Sequence, residues 1–166
     1  MAEPPAPLPD AALPVGTTVW PGAAVVHFDG AFQAVRGHRY AAYGFAVGGA
    51  FTYEECGLAA PPDSDSATNN VAEYSGAIAA LEWLRRRSFR GVVVLCGDSQ
   101  LVIRQMSGEY EVRAERLRPY HAHLDRLTKE FDEVRFVWVP RAENTRADEL
   151  SKLGISRAAS GAPMPR

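Results

Sequence analysis

Apolar residues recur along this chain with two different periods, and the switches between them mark out the elements. Ala23 to Phe28 is a short run of Ala, Val and Phe that ends in Asp29-Gly30, which predicts a buried strand stopping at a turn. Tyr40 to Val47 and Phe51 to Leu58 are aromatic and Gly-rich and flank Gly48-Gly49-Ala50, the pattern of a hairpin. Pro61 to Thr68 is polar and proline-bearing, hence a loop. From Val71 the residues Ala72, Ala77, Ile78, Leu81 and Leu84 follow helical spacing as far as the cations Arg85, Arg86 and Arg87, which favour a helix C-terminus.

Val92 to Cys96 is a continuous β-branched run between Gly91 and Gly97 and predicts a buried strand that delivers the chain to Asp98. A short helix over Gln100 to Met106 and a longer one over about Arg113 to Glu130 follow, separated by Gly108. Val134 to Val139 predicts a last strand. A closing helix over about Glu143 to Leu153 starts near Pro140 and stops at Gly154. The order βββαβααβα predicts an α/β fold: a mixed five-stranded sheet flanked by helices, antiparallel where the hairpin pairs and crossed over by helices later.

Chain length changes this picture little, since 166 residues suit one domain. Residues 1–18 are rich in Ala and Pro and are expected to be a flexible leader, residues 157–166 a disordered tail, and residues 20–156 the working domain. No window is apolar enough to span a bilayer and the start lacks the pattern of a secretory signal, so a cytoplasmic location, no membrane partner and a monomer are expected. Cys56 and Cys96 read as buried thiols. The formal net charge of −2 argues against gripping nucleic acid by bulk positive charge, so any such binding must be local.

The candidate chemistry lies in four acids. Asp29 and Asp98 each follow a predicted strand, and ligands gather at the carboxyl ends of strands in α/β sheets. Glu73, in the opening turn of its helix, and Asp148, near the middle of the last one, can be brought to the same edge. Four carboxylates in a small volume raise one another's pKa and repel, so they require cations. An all-oxygen donor set without a His or Cys cluster selects hard ions, Mg²⁺ or Mn²⁺. Two such ions about 4 Å apart suit phosphodiester hydrolysis. Each acid also has a plain structural reading: Asp29 as a turn residue, Glu73 as a first-turn helix acid, Asp98 as an N-cap and Asp148 as a solvated helix position.

The neighbours of the acids tip that balance. VVHFDGA at 25–31, TNNVAEYSGAIAALEWL at 68–84, LCGDSQLVIRQMSGEY at 95–110 and VPRAENTRADELSKL at 139–153, taken together and in order, resemble type 1 ribonuclease H, in the compact branch of archaea, plants and some bacteria. The resemblance implies the ribonuclease H fold and endonucleolytic cleavage of the RNA strand of an RNA/DNA hybrid, giving 3′-hydroxyl and 5′-phosphate ends. It implies two metal ions, with Asp29 bridging them and Glu73, Asp98 and Asp148 completing the ligands. Gly30, Asn69, Asn70, Gln100, Arg141 and Asn144 fall at positions expected to bind the hybrid, where amides can read 2′-hydroxyls.

Two departures from the family stand out. The histidine that longer bacterial members carry before the last helix is replaced by the sequence WVPRAEN, with Arg141 as its substitute, and His27, His38, His121 and His123 lie elsewhere. No Lys/Trp-rich insertion follows Gly108; Arg113, Arg116 and Arg118 are there instead, and read first as a solvated face. Phe45, Tyr53, Trp83, Phe131, Phe136 and Trp138 are assigned to core or edge packing. Two competing readings stay open: a nuclease of the same sheet acting on another nucleic acid, as resolvases, transposases and integrases do, and a binding module that has kept the fold without activity.

Overall fold

The computed structural model describes residues 22–161, so the predicted leader and the end of the predicted tail lie outside the described residues. The elements are β1 (Ala24–Val35), β2 (His38–Gly49), β3 (Tyr53–Leu58), α1 (Asn69–Arg86), β4 (Val92–Gly97), α2 (Gln100–Met106), α3 (Arg118–Thr128), β5 (Glu133–Trp138) and α4 (Thr145–Ser160), with single 3₁₀ turns before α3 and α4. The strands form one sheet in the order β3-β2-β1-β4-β5. β1 pairs antiparallel with β2, and β2 with β3, whereas β4 runs parallel to both β1 and β5. This is the mixed α/β sheet that the hydrophobic periods predict.

Side chains alternate across the sheet, so even and odd positions build separate layers. Val26, Phe28, Val93 and Leu95 join Tyr74, Leu81 and Leu84 of α1 and Leu124 of α3 in the main core. Val25, Val92, Val94 and Cys96 form a smaller cluster with Val139. α4 packs on β2, β1 and β3. Cys56 and Cys96 are both free and buried, as expected.

Two predicted boundaries are corrected. β1 does not stop at Asp29-Gly30; it pairs on through Asp29 with Gly44 and Gly30 with Tyr43, and the turn comes at Arg36-Gly37, where both residues have positive φ. Gly30 marks a close approach, not a turn: a Cβ there would lie 2.3 Å from the backbone nitrogen of Glu73. α4 likewise runs through Gly154 to Ser160, into the stretch predicted to be a disordered tail from residue 157. Gly154 is where this helix meets the sheet, since its Cβ would sit 2.9 Å from that of Ala42. Both glycines therefore mean contact between elements, which a local pattern cannot distinguish from a break.

Candidate active site

The close approach at Gly30 is what brings the first two acids together. Gly30 lets α1 descend onto β1, so that Glu73, in the second turn of α1, faces Asp29 in the middle of β1. Thr68 caps α1, its hydroxyl accepting from the amide of Val71 at 3.2 Å. The third acid arrives from the far side of β1: β4 ends at Gly97, and Asp98 follows at once. Ser99, not Asp98, caps α2, accepting from the amide of Val102 at 3.3 Å, so capping does not account for Asp98. Carboxylate oxygens of Asp29, Glu73 and Asp98 lie within 4.8 Å of one another.

Asp148 completes the group from α4 and shares a hydrogen-bonding environment with Asp29. The start of α4 is tied to β1 by Asn144, whose side-chain amide donates to the carbonyl of Phe28 at 2.9 Å. Asn144 is only 1% exposed. Asn144 thus anchors the helix that carries Asp148 and is not among the residues that line the cleft.

Asp29, Gly30, Asn69, Glu73, Asp98, Ser99, Arg141 and Asp148 line a cleft of about 270 Å³. Asn70 and Gln100 stand exposed on the first turns of α1 and α2, beside the cleft and not in its lining. A larger depression of about 390 Å³ lies between α2, α3 and β5 and contains none of the four acids. The four histidines lie outside the acid cleft: His38 pairs with Asp63, His123 with Glu82, His121 reaches the carbonyl of Gln105, and His27 is held below its usual pKa by burial.

The electrostatics of the cleft are uneven. Burial, followed by the charge of Asp98, pushes the Asp29 carboxyl up to about 7. Burial and then Asp29 drive Glu73 upward too, and Glu73 Oε2 is buried with no partner in the protein. Asp148 behaves oppositely. Its partial burial pulls upward, but Lys152, then Asp29 and Arg141, hold it below the usual carboxylate range. Lys152 Nζ is 2.9 Å from one Asp148 oxygen and Arg141 is 3.7 Å from the other. Lys152 did not figure among the site residues predicted from sequence, although its position four residues after Asp148 is the spacing of a helical ion pair.

Three converging carboxylates, two of them with raised pKa values, one orphaned buried oxygen and an all-oxygen donor set fit a hard divalent cation. The chain also matches known proteins. Residues 28–154 match the family described as Reverse transcriptase-like. The N-terminal RNase H domain of Rv2228c from Mycobacterium tuberculosis is 32% identical, with a TM-score of 0.71 over 85% of this chain and 99% of that one. The chain belongs to the type 1 ribonuclease H family. RNase H1 of Halobacterium salinarum superposes with a TM-score of 0.70 at 32% identity, over 81% of this chain and 98% of that one. Among curated relatives, the bifunctional protein Rv2228c is 41% identical over 58% of this chain and 26% of its own length, and ribonuclease HI of H. salinarum is 40% identical over 55% and 46%. The aligned region thus spans less than half the length of these curated ribonuclease H relatives.

Proposed function

We propose that this chain is an endoribonuclease that hydrolyses the RNA strand of RNA/DNA hybrids with two Mg²⁺ or Mn²⁺ ions, leaving 3′-hydroxyl and 5′-phosphate ends. The observation that carries the reading is the convergence of Asp29, Glu73 and Asp98 within 4.8 Å around an unpartnered buried oxygen, with Asp148 beside them. A family relative, LC11-RNase H1, which shares 30% identity and a TM-score of 0.70, has been solved in complex with an RNA/DNA hybrid.

Asp29, Glu73, Asp98 and Asp148 would hold the ions. When bound, such ions activate water, hold the scissile phosphate and stabilise the departing oxygen. The chain's own residues do the rest. Asn69 in the cleft, with Asn70 and Gln100 beside it, offers amides to 2′-hydroxyls, the group that separates RNA from DNA. Arg141 is exposed at the rim and suits a phosphate oxygen, the place where longer family members carry histidine. The Asp29 backbone, paired with Gly44 of β2 one residue beyond the last β1–β4 pair at Phe28, gives the acids a rigid floor. Among the described residues no helix is long and apolar enough to cross a membrane. The reading extends to a monomer working in the cytoplasm.

The purified chain with Mg²⁺ or Mn²⁺ is expected to cut an RNA/DNA hybrid while sparing duplex DNA and single-stranded RNA. Equal cutting of all three, or of none, overturns the proposal. Preferential cutting of duplex DNA would support the resolvase-like alternative.

A further inference from the structure

Trp138 is assigned to packing by its sequence context, yet it is 41% exposed and ends β5 beside the acid cleft. Val134 and Phe136, four and two residues earlier on the same face, pack against the main core; Trp138 reaches past its edge. What the indole does there is make a bond. β4 and β5 run parallel with Gly97 opposite Trp138, and the ladder's last backbone rung is Val139 N–H to the Gly97 carbonyl at 2.9 Å. One residue further, where the chain has left β4, the Trp138 Nε1–H donates to the carbonyl of Asp98 at 3.3 Å.

We propose that Trp138 is a positioning residue for Asp98, its indole N–H extending the β4–β5 ladder by one side-chain rung so that the Asp98 carboxylate is held toward Asp29 and Glu73. The inference rests on the metal-site reading above. Asp98 has few other restraints. It is the single residue between the end of β4 and the Ser99 cap of α2, so the setting of its carbonyl decides where its side chain points. Gly97 before it is pressed against Phe28, whose ring a Cβ at that position would meet at 2.7 Å, so the strand end cannot shift to compensate. Partners that orient a metal ligand without touching the metal typically influence affinity by about 10–100-fold.

The test is Mn²⁺ binding to the substrate-free protein by titration calorimetry, on the wild type, Trp138→Phe and Trp138→Ala, with backbone amide shifts of Asp98 and Ser99 recorded in chelator. Phe keeps most of the ring and lacks the N–H donor. The expected result is Mn²⁺ affinity weakened about 10-fold by Phe and at least as much by Ala, with shifts at Asp98 and Ser99 moving in both variants. Wild-type affinity and unmoved Asp98 and Ser99 shifts in Trp138→Phe would overturn the proposal, leaving the metal site intact. A wild-type chain that binds no Mn²⁺ would instead overturn the metal reading, and this inference with it.

Discussion

The two sides of the acid cleft solve the same electrostatic problem differently. On the sheet side, Asp29, Glu73 and Asp98 crowd together, and burial leaves two of them with raised pKa values. On the α4 side, Asp148 lies between Lys152 and Arg141 and is held ionised. The sheet side carries charge that the fold does not balance, whereas the helix side carries its own counter-charge. In the proposed reading, the first draws its cations from solution. The second can exchange a protein cation for a bound ion at little cost, which suits a ligand needed for only part of a reaction cycle.

The sharpest way to break this contrast is to neutralise one acid on each side. Asp29→Asn is expected to lower hybrid cleavage by at least about 10³-fold, the scale of the several kcal/mol of charge stabilisation that metal ions supply. The same change should raise the thermal midpoint in chelator, because it removes one of the crowded charges, and abolish the upward shift on adding Mn²⁺. Asp148→Asn is expected to cost less activity, about 10–100-fold, and to leave or lower the chelated midpoint, since it strands Lys152. Midpoints that move the same way in both variants would erase the distinction between the two sides.

Acidity offers a second handle. A carboxyl whose pKa is raised by folding binds protons more tightly folded than unfolded, so stability is lost as pH climbs. For Asp29 the window runs from its ordinary value of 3.8 to about 7, with Glu73 adding in the same direction. Asp148, with its lowered pKa, contributes the reverse: its stability is present above the ordinary carboxylate value and lost at more acid pH. The metal-free chain should therefore melt at progressively lower temperature from about pH 4 to 7, and saturating Mn²⁺ should flatten that slope. A metal-free midpoint that rises across this window would show that the sheet-side acids are not crowded in solution.

How much of this the sequence discloses depends on which physical scale wrote the signal. The elements were legible because hydrophobic periods of 2 and 3.6 are local, and four acid-bearing motifs in order carried the family. Gly30 and Gly154 were misread for the opposite reason. Each is small because a distant element presses on it, α1 in one case and β2 in the other, and nothing nearby in sequence says so. The tether made by Asn144 was hidden similarly: its partner, the Phe28 carbonyl, is 116 residues away. The same limit hid Trp138, whose bond to Asp98 spans 40 residues. Lys152 was within reach, since its spacing to Asp148 alone predicts the pair.

Lys152 also gives the smallest and most discriminating prediction. Its side chain is 61% exposed and Asp148 is 20% exposed, so the pair resembles a surface ion pair, worth about 0.2–1 kcal/mol in stability. Lys152→Gln should accordingly lower the chelated midpoint by no more than about 4 °C. Its effect on metal should have the opposite sign, because removing the ammonium frees an Asp148 oxygen: the Mn²⁺ concentration giving half-maximal hybrid cleavage is expected to fall about two- to five-fold, the equivalent of that same pair energy. A rise in that concentration would mean that Lys152 orients Asp148 for metal and does not compete with it, and the helix side would then be as preorganised as the sheet side.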